Sequence, residues 1–90
     1  MTFQSSTAAN TGISVGVAST KVLDMNDKRK EFSLVNDSVN TVYVCLAGTA
    51  VINTGIRLNG YGGSYSNSNY TGRVSAIAGT AASVLTVCEL

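Results

Sequence analysis

The chain contains no histidine. That removes every Ser-His-Asp or Cys-His nucleophilic arrangement and would leave a zinc site dependent on two cysteines and a few carboxylates. Charge is also scarce. Only 12% of the 90 residues are Asp, Glu, Lys or Arg, and the net charge of +1 gives no electrostatic basis for nucleic acid or an anionic membrane as partner. With one Gln, two Glu and three Lys there is little from which to build the polar face of a helix. No apolar run approaches the ~20 residues of a membrane helix. The opening MTFQSSTAANTG has neither the basic segment nor the apolar stretch of a secretory signal. Cytoplasmic synthesis is therefore expected, with no membrane or nucleic-acid partner and no cofactor.

What is present points to β structure. Val (11), Thr (10) and Ile (4) are β-branched and fit a pleated surface, while Asn, Ser and Gly supply turns. A chain of this length makes one small domain, burying only about 60–65% of its unfolded surface, so oligomerisation or a partner surface would add stability. Cys45 and Cys88 fall on separate predicted strands and read as reduced thiols acting as small core residues. A disulfide between them stays open, and in the chain-entropy model it would add about 3–4 kcal/mol.

Residues 1–12 are polar, small and unpatterned, and read as an extended arm preceding a domain over 13–90. From Ile13 apolar alternation begins with Val15 and Val17, and a short run over 20–24 follows. Residues 31–36 form a strand with Phe32 and Leu34 on one face, closed by an Asx/Ser turn over 36–40. Residues 41–47 alternate on two fairly apolar faces, as a central strand does. A loop over 48–55 with Val51 and Ile52 pinned down, a short strand to Leu58, a glycine-rich turn and a short edge over 64–66 come next. Residues 72–78 and 83–89 read as a terminal hairpin. The sum is an all-β domain, a small β-sandwich or flattened, jelly-roll-like barrel of about seven or eight short antiparallel strands with an extended N-terminal arm.

Nothing in the chain reads as a catalyst. Asp24, Asp27, Glu31, Asp37 and Glu89 sit mostly in or beside turns and read as solvated carboxylates. The triplet Lys28-Arg29-Lys30 is flanked by Asp24, Asp27 and Glu31, which cancel its charge, and reads as a solvated turn. The stretch NGYGGSYS (59–66) lacks the Lys-Ser/Thr of a P-loop. Tyr61, Tyr65 and Tyr70 fall within ten residues among Ser and Asn, a composition suited to a protein interface or to stacking on sugar. Together with Thr2, Phe3 and Gln4 of the arm they are the candidate interface residues.

The ordered segments RKEFSLVNDS, VYVCLAG, TAVINTGIRL, GGSY, YTGRVSAIA and VLTVCE carry a family resemblance over residues 21–89, about three quarters of the chain. The pattern is a basic residue before a strand ending in Asn-(Asn/Asp)-Ser, a short Tyr-Val strand and a Gly-x-Ala turn. Gly-Ile-x-Leu, Gly-Gly-Ser-(Tyr/Phe), Tyr-x-Gly-x-(Val/Ile)-x-Ala-Ile and Leu-Thr-Val-x-Glu complete it. It is similar to small β-rich structural proteins of tailed bacteriophage virions. The resemblance implies a virion setting and no catalytic residues. By analogy of size and composition it implies a capsid decoration (cement) protein. Such a protein would bind the major capsid protein or another virion protein on the capsid surface as a homo-oligomer, a trimer at symmetry axes, with the arm as an inter-subunit strap. The competing expectation is a tail- or fibre-associated structural or host-glycan-binding module.

Overall fold

The outward-pointing face of a strand is hidden only if something folds over it, and in this protein one long loop does so. The computed structural model describes residues 8–90. Among them the strands are β1 (Ala9–Val15), β2 (Thr20–Leu23), β3 (Phe32–Asn36), β4 (Val42–Leu46), β5 (Ile56–Leu58), β6 (Ser64–Asn67), β7 (Val74–Ala78) and β8 (Ser83–Glu89). They build two four-stranded antiparallel sheets, sheet A ordered β1-β8-β3-β6 and sheet B ordered β2-β7-β4-β5. The pairs β1–β8, β2–β7, β3–β6 and β4–β5 nest as a long hairpin rolled on itself, which is the strand order of a jelly roll.

Alternation explains the core. Val15, Phe32, Leu34, Leu85 and Val87 of sheet A and Val22, Val42, Val44, Leu58, Val74, Ala76 and Ala78 of sheet B are all buried, and they pack between the layers. Strand β7 differs from its neighbours because both of its faces are buried. Its outward residues Ser75 and Ile77 lie opposite Cys45 and Tyr43 of β4. The loop of residues 47–55 is tied on one side of β7 by Ala50 N donating to Ser19 Oγ (2.9 Å). On the other side Tyr43 Oη donates to Asn53 Oδ1 (2.9 Å). Ser19 precedes β2 and Tyr43 lies on β4, so the loop spans β7, with Ala50 buried beneath it. The pinned residue is thus Ala50, whereas Val51 and Ile52 are exposed, contrary to the sequence expectation.

Two polar hubs close the ends of β3. At its start, the Arg29 guanidinium donates to Glu89 Oε2 (2.7 Å), Tyr70 O (3.2 Å), Gly72 O (3.1 Å) and Asp24 O (2.6 Å). It also lies 5.3 Å from the centroid of the Phe32 ring. At the other end the fully buried Asn36 donates from Nδ2 to Asn40 O, Leu58 O and Asn59 O and accepts from the Ser38 amide and hydroxyl. Arg29 is therefore a buried strut and not part of a solvated turn. Its neighbours Lys28 and Lys30 are exposed.

Three further expectations change. Strands β7 and β8 are not a hairpin: residues 79–82 carry the chain from sheet B to sheet A. Alternation cannot distinguish such a crossover from a turn, because both join two apolar-patterned strands by a short polar link. Strand β1 starts at Ala9, so residues 9–12 of the expected arm pair with β8, held by backbone hydrogen bonds where no apolar side chain marks them. Both cysteines are free and half-buried. Cys45 faces outward on sheet B and Cys88 outward on sheet A. The core lies between them, across layers about 10 Å apart, beyond disulfide reach.

Candidate functional site

Among the described residues none forms a strap over the outer face of sheet A. The residues that alternate away from the core fall into rows set by the register. Asn10, Cys88, Ser33 and Ser66 make one row, and Gly12, Thr86, Val35 and Ser64 the next. Ser14 and Val84 begin a third, which ends where the Asp37 amide donates to Val84 O (3.0 Å). Asp37, exposed at the end of the third row, is the one charged side chain among them. The side chains are short, so the face is level and hydroxyl-rich. Ser33 Oγ and Ser66 Oγ share a hydrogen bond (3.1 Å), and Thr86 Oγ1 donates to Asp37 at the boundary. Val84 is 46% exposed, a β-branched side chain in the open.

At the Asn36 end the face meets two loop tips. Tyr61 N donates to Ser38 O (2.8 Å), which fixes the loop of residues 59–63 beside the turn carrying Val39. Val39 is 64% and Tyr61 85% exposed. Tyr61 holds φ at +62°, a left-handed conformation that costs a side-chain-bearing residue energy and that is held by the hydrogen bonds of the Tyr61 and Gly62 amides to Ser38 O and Asn36 O. A face with a single carboxylate, bordered by an exposed tyrosine and valines, can pack and hydrogen-bond across a protein interface.

The tyrosines predicted as one cluster separate. Tyr65 is half-buried, tilted against Phe32 (ring centroids 6.1 Å apart), and its hydroxyl accepts from Asn67 Nδ2 (2.9 Å). Tyr70 packs against the core at the Arg29 end, its hydroxyl donating to Arg73 O (2.7 Å). Only Tyr61 remains free to meet a partner, at the opposite end of β6 from Tyr70. Thr2, Phe3 and Gln4 lie outside the described residues. The rows of sheet A escaped sequence reading because they join four strands that are distant in the chain. Alternation marked the strands, but it did not show how their outward residues align.

Other clusters are weaker. An open depression of about 330 Å³ is lined by Ala8, Ala9, Asn26, Lys28, Glu89 and Leu90, but the Glu89 carboxylate is already engaged by Arg29. Among the described residues no group of three or more His, Cys, Asp or Glu side chains is placed to hold a metal. Asp24 titrates below its ordinary value because Lys21 hydrogen-bonds to it and adds an attractive charge. Both groups are on the surface, and their pairing is an ordinary exposed ion pair. No family model, curated protein or solved structure matches the chain.

Proposed function

We propose that this protein is a structural binding module of a tailed-phage virion, a decoration protein that docks on the assembled head through the outer face of sheet A and stabilises it. The carrying observation is the contrast between the two outer faces: the middle of that of sheet B, over β7, is covered by the chain's own loop, and that of sheet A is open among the described residues, level and nearly free of charge, with Asp37 its one carboxylate. An interface core is depleted in charge and enriched in aromatics, which fits this face and the exposed Tyr61 beside it. The jelly roll hosts viral capsid, lectin and cupin domains alike, so the fold does not choose among them. The virion setting comes from the sequence resemblance, and the docking role from the face. A ligand present only on the assembled shell stabilises it in proportion to occupancy and affinity. Copies repeated around symmetry axes of the shell, on the major capsid protein, add avidity. The glycan-binding alternative has less support, because Tyr65 and Tyr70 spend their hydroxyls internally.

Copy number in purified virions, measured by quantitative mass spectrometry against the major capsid protein, tests the setting. A ratio from a few tenths to one supports decoration. A handful of copies per particle moves the protein to the tail, and absence discards the virion reading. Binding of Ser66→Arg and Val84→Arg variants to emptied heads tests the face. Both positions are exposed, so folding should hold while binding is lost. Val51→Arg on the strap of sheet B should bind normally, and equal binding by all three would overturn the assignment of the face.

A further inference from the structure

An unpaired sheet edge offers a row of backbone donors and acceptors to any other strand, and folded proteins blunt such edges with charge, bulges or brevity. Three of the four edges here are blunted. Strand β2 carries Lys21 and an irregular register between Lys21 and Leu23. Strand β5 has three residues, including the exposed Arg57, and β6 has only four. Strand β1 is the exception. It is an edge of sheet A, seven residues long, with an unbroken register from Ala9 to Val15. No charged side chain occurs in the sequence before Lys21. Ala9 and Thr11 alternate toward the core side of the sheet and are nevertheless exposed, with Ile13 half-buried, so this strand is incompletely covered on that side as well.

We propose that the free edge of β1 pairs antiparallel with β1 of a second copy about a twofold axis, joining the two copies of sheet A into one eight-stranded sheet. The sequence of the strand suits its own reverse. A register centred on Gly12 uses all seven residues of both strands. On the core side it sets Ala9 opposite Val15 and Thr11 opposite Ile13, which are small and β-branched pairs of the kind that stabilise cross-strand contacts. On the outer side it sets Asn10 opposite Ser14, an amide opposite a hydroxyl, and Gly12 opposite Gly12. No like charges meet anywhere along the seam. The interface is isologous and closes at two copies, leaving no free β1 edge to propagate a fibre. It doubles the outer face of sheet A, but it stands on the edge alone and does not depend on what that face binds.

Gly12 makes the test clean. Its nearest neighbour to an added Cβ is Val84 Cγ1 at 4.0 Å, and its φ is not in the left-handed region, so a side chain there leaves the monomer undisturbed. The mass of the purified full chain in solution is measured by light scattering and sedimentation from micromolar concentration upward. Wild type should give twice the 9.3 kDa chain mass. Gly12→Lys sets two ammonium groups face to face at the axis and should be monomeric, with unchanged far-UV circular dichroism and melting temperature above that of the dissociated wild type. Gly12→Glu should behave likewise, and mixing the two variants should restore the dimer. A monomeric or trimeric wild type, a dimer untouched by Gly12→Lys, or a mixture that stays monomeric would each overturn the proposal. A wild-type protein that dimerises but does not bind heads would count against the proposed function and leave this pairing standing.

Discussion

Replacing Arg29 with alanine should cost about 3–5 kcal/mol, the range for removing one partner of a buried charged pair. The guanidinium side chain is 0% exposed, while its partner Glu89 is 23% exposed and can rehydrate once released. The larger loss comes from three backbone carbonyls, Asp24 O, Tyr70 O and Gly72 O, which belong to two different connections and have this one cation in common. A buried acceptor left unpaired costs about 1–3 kcal/mol, and the three do not add fully because the loops can open to water. A chain of 90 residues has roughly 5–13 kcal/mol of stability in all, so the variant would lose a large share of it. At about 4–8 °C per kcal/mol for a domain of this size, the melting temperature should fall by more than about 12 °C. Urea unfolding at neutral pH, with the slope held to its wild-type value, measures this directly. Arg29→Lys should lie between, since an ammonium cannot reproduce the planar fork that reaches four acceptors. Glu89→Gln should cost less than Arg29→Ala, because the amide oxygen still accepts from Nε. A loss under about 1 kcal/mol for Arg29→Ala would refute the strut and return Arg29 to the surface.

Asn36→Ala should cost about 2–4 kcal/mol by orphaning the carbonyls that its amide holds, and Asn36→Asp should cost more at pH 7, because it turns a carboxylate toward those oxygens. An Asn36→Ala midpoint equal to that of wild type would show that the amide donors do not matter. Gly55 has φ +80°, and an added Cβ would strike the Val44 carbonyl, whereas Gly62 has φ +98° in open space. Gly55→Ala should therefore lower stability by about 2 kcal/mol or more and Gly62→Ala by about 1 kcal/mol, and thermal melts that reverse this order would contradict the packing beside β4. For Asp24 the folded value lies below the ordinary 3.8, so its contribution is present above that value and is lost as pH falls through the lowered one. Its carboxyl resonance should titrate with a midpoint below 3.8, and Lys21→Ala should move that midpoint back up. An unmoved midpoint would remove Lys21 as the cause.

The sequence alone determined the strands, because period-two alternation records which side of each strand loses water. Phe32 and Leu34 were legible as one apolar face for that reason, residues 41–47 and 83–89 were legible as strands without a chosen core face, and the turn glycines and Asx residues marked most of the breaks. It also set the absence of histidine and the scarcity of charge that make a chemical site unpromising. Tertiary structure decided what joins what. Arg29 looked like one member of a solvated basic triplet, and only the meeting of Asp24, Tyr70, Gly72 and Glu89 around it turned it into a strut. Residues 83–89 alternated equally well as the second arm of a hairpin or as a strand between β1 and β3, since alternation carries the direction of a side chain but not the identity of the neighbouring strand. The rows of sheet A and the unguarded edge of β1 likewise exist only once the chain is rolled, because pairing is settled by backbone hydrogen bonds that every residue offers almost alike.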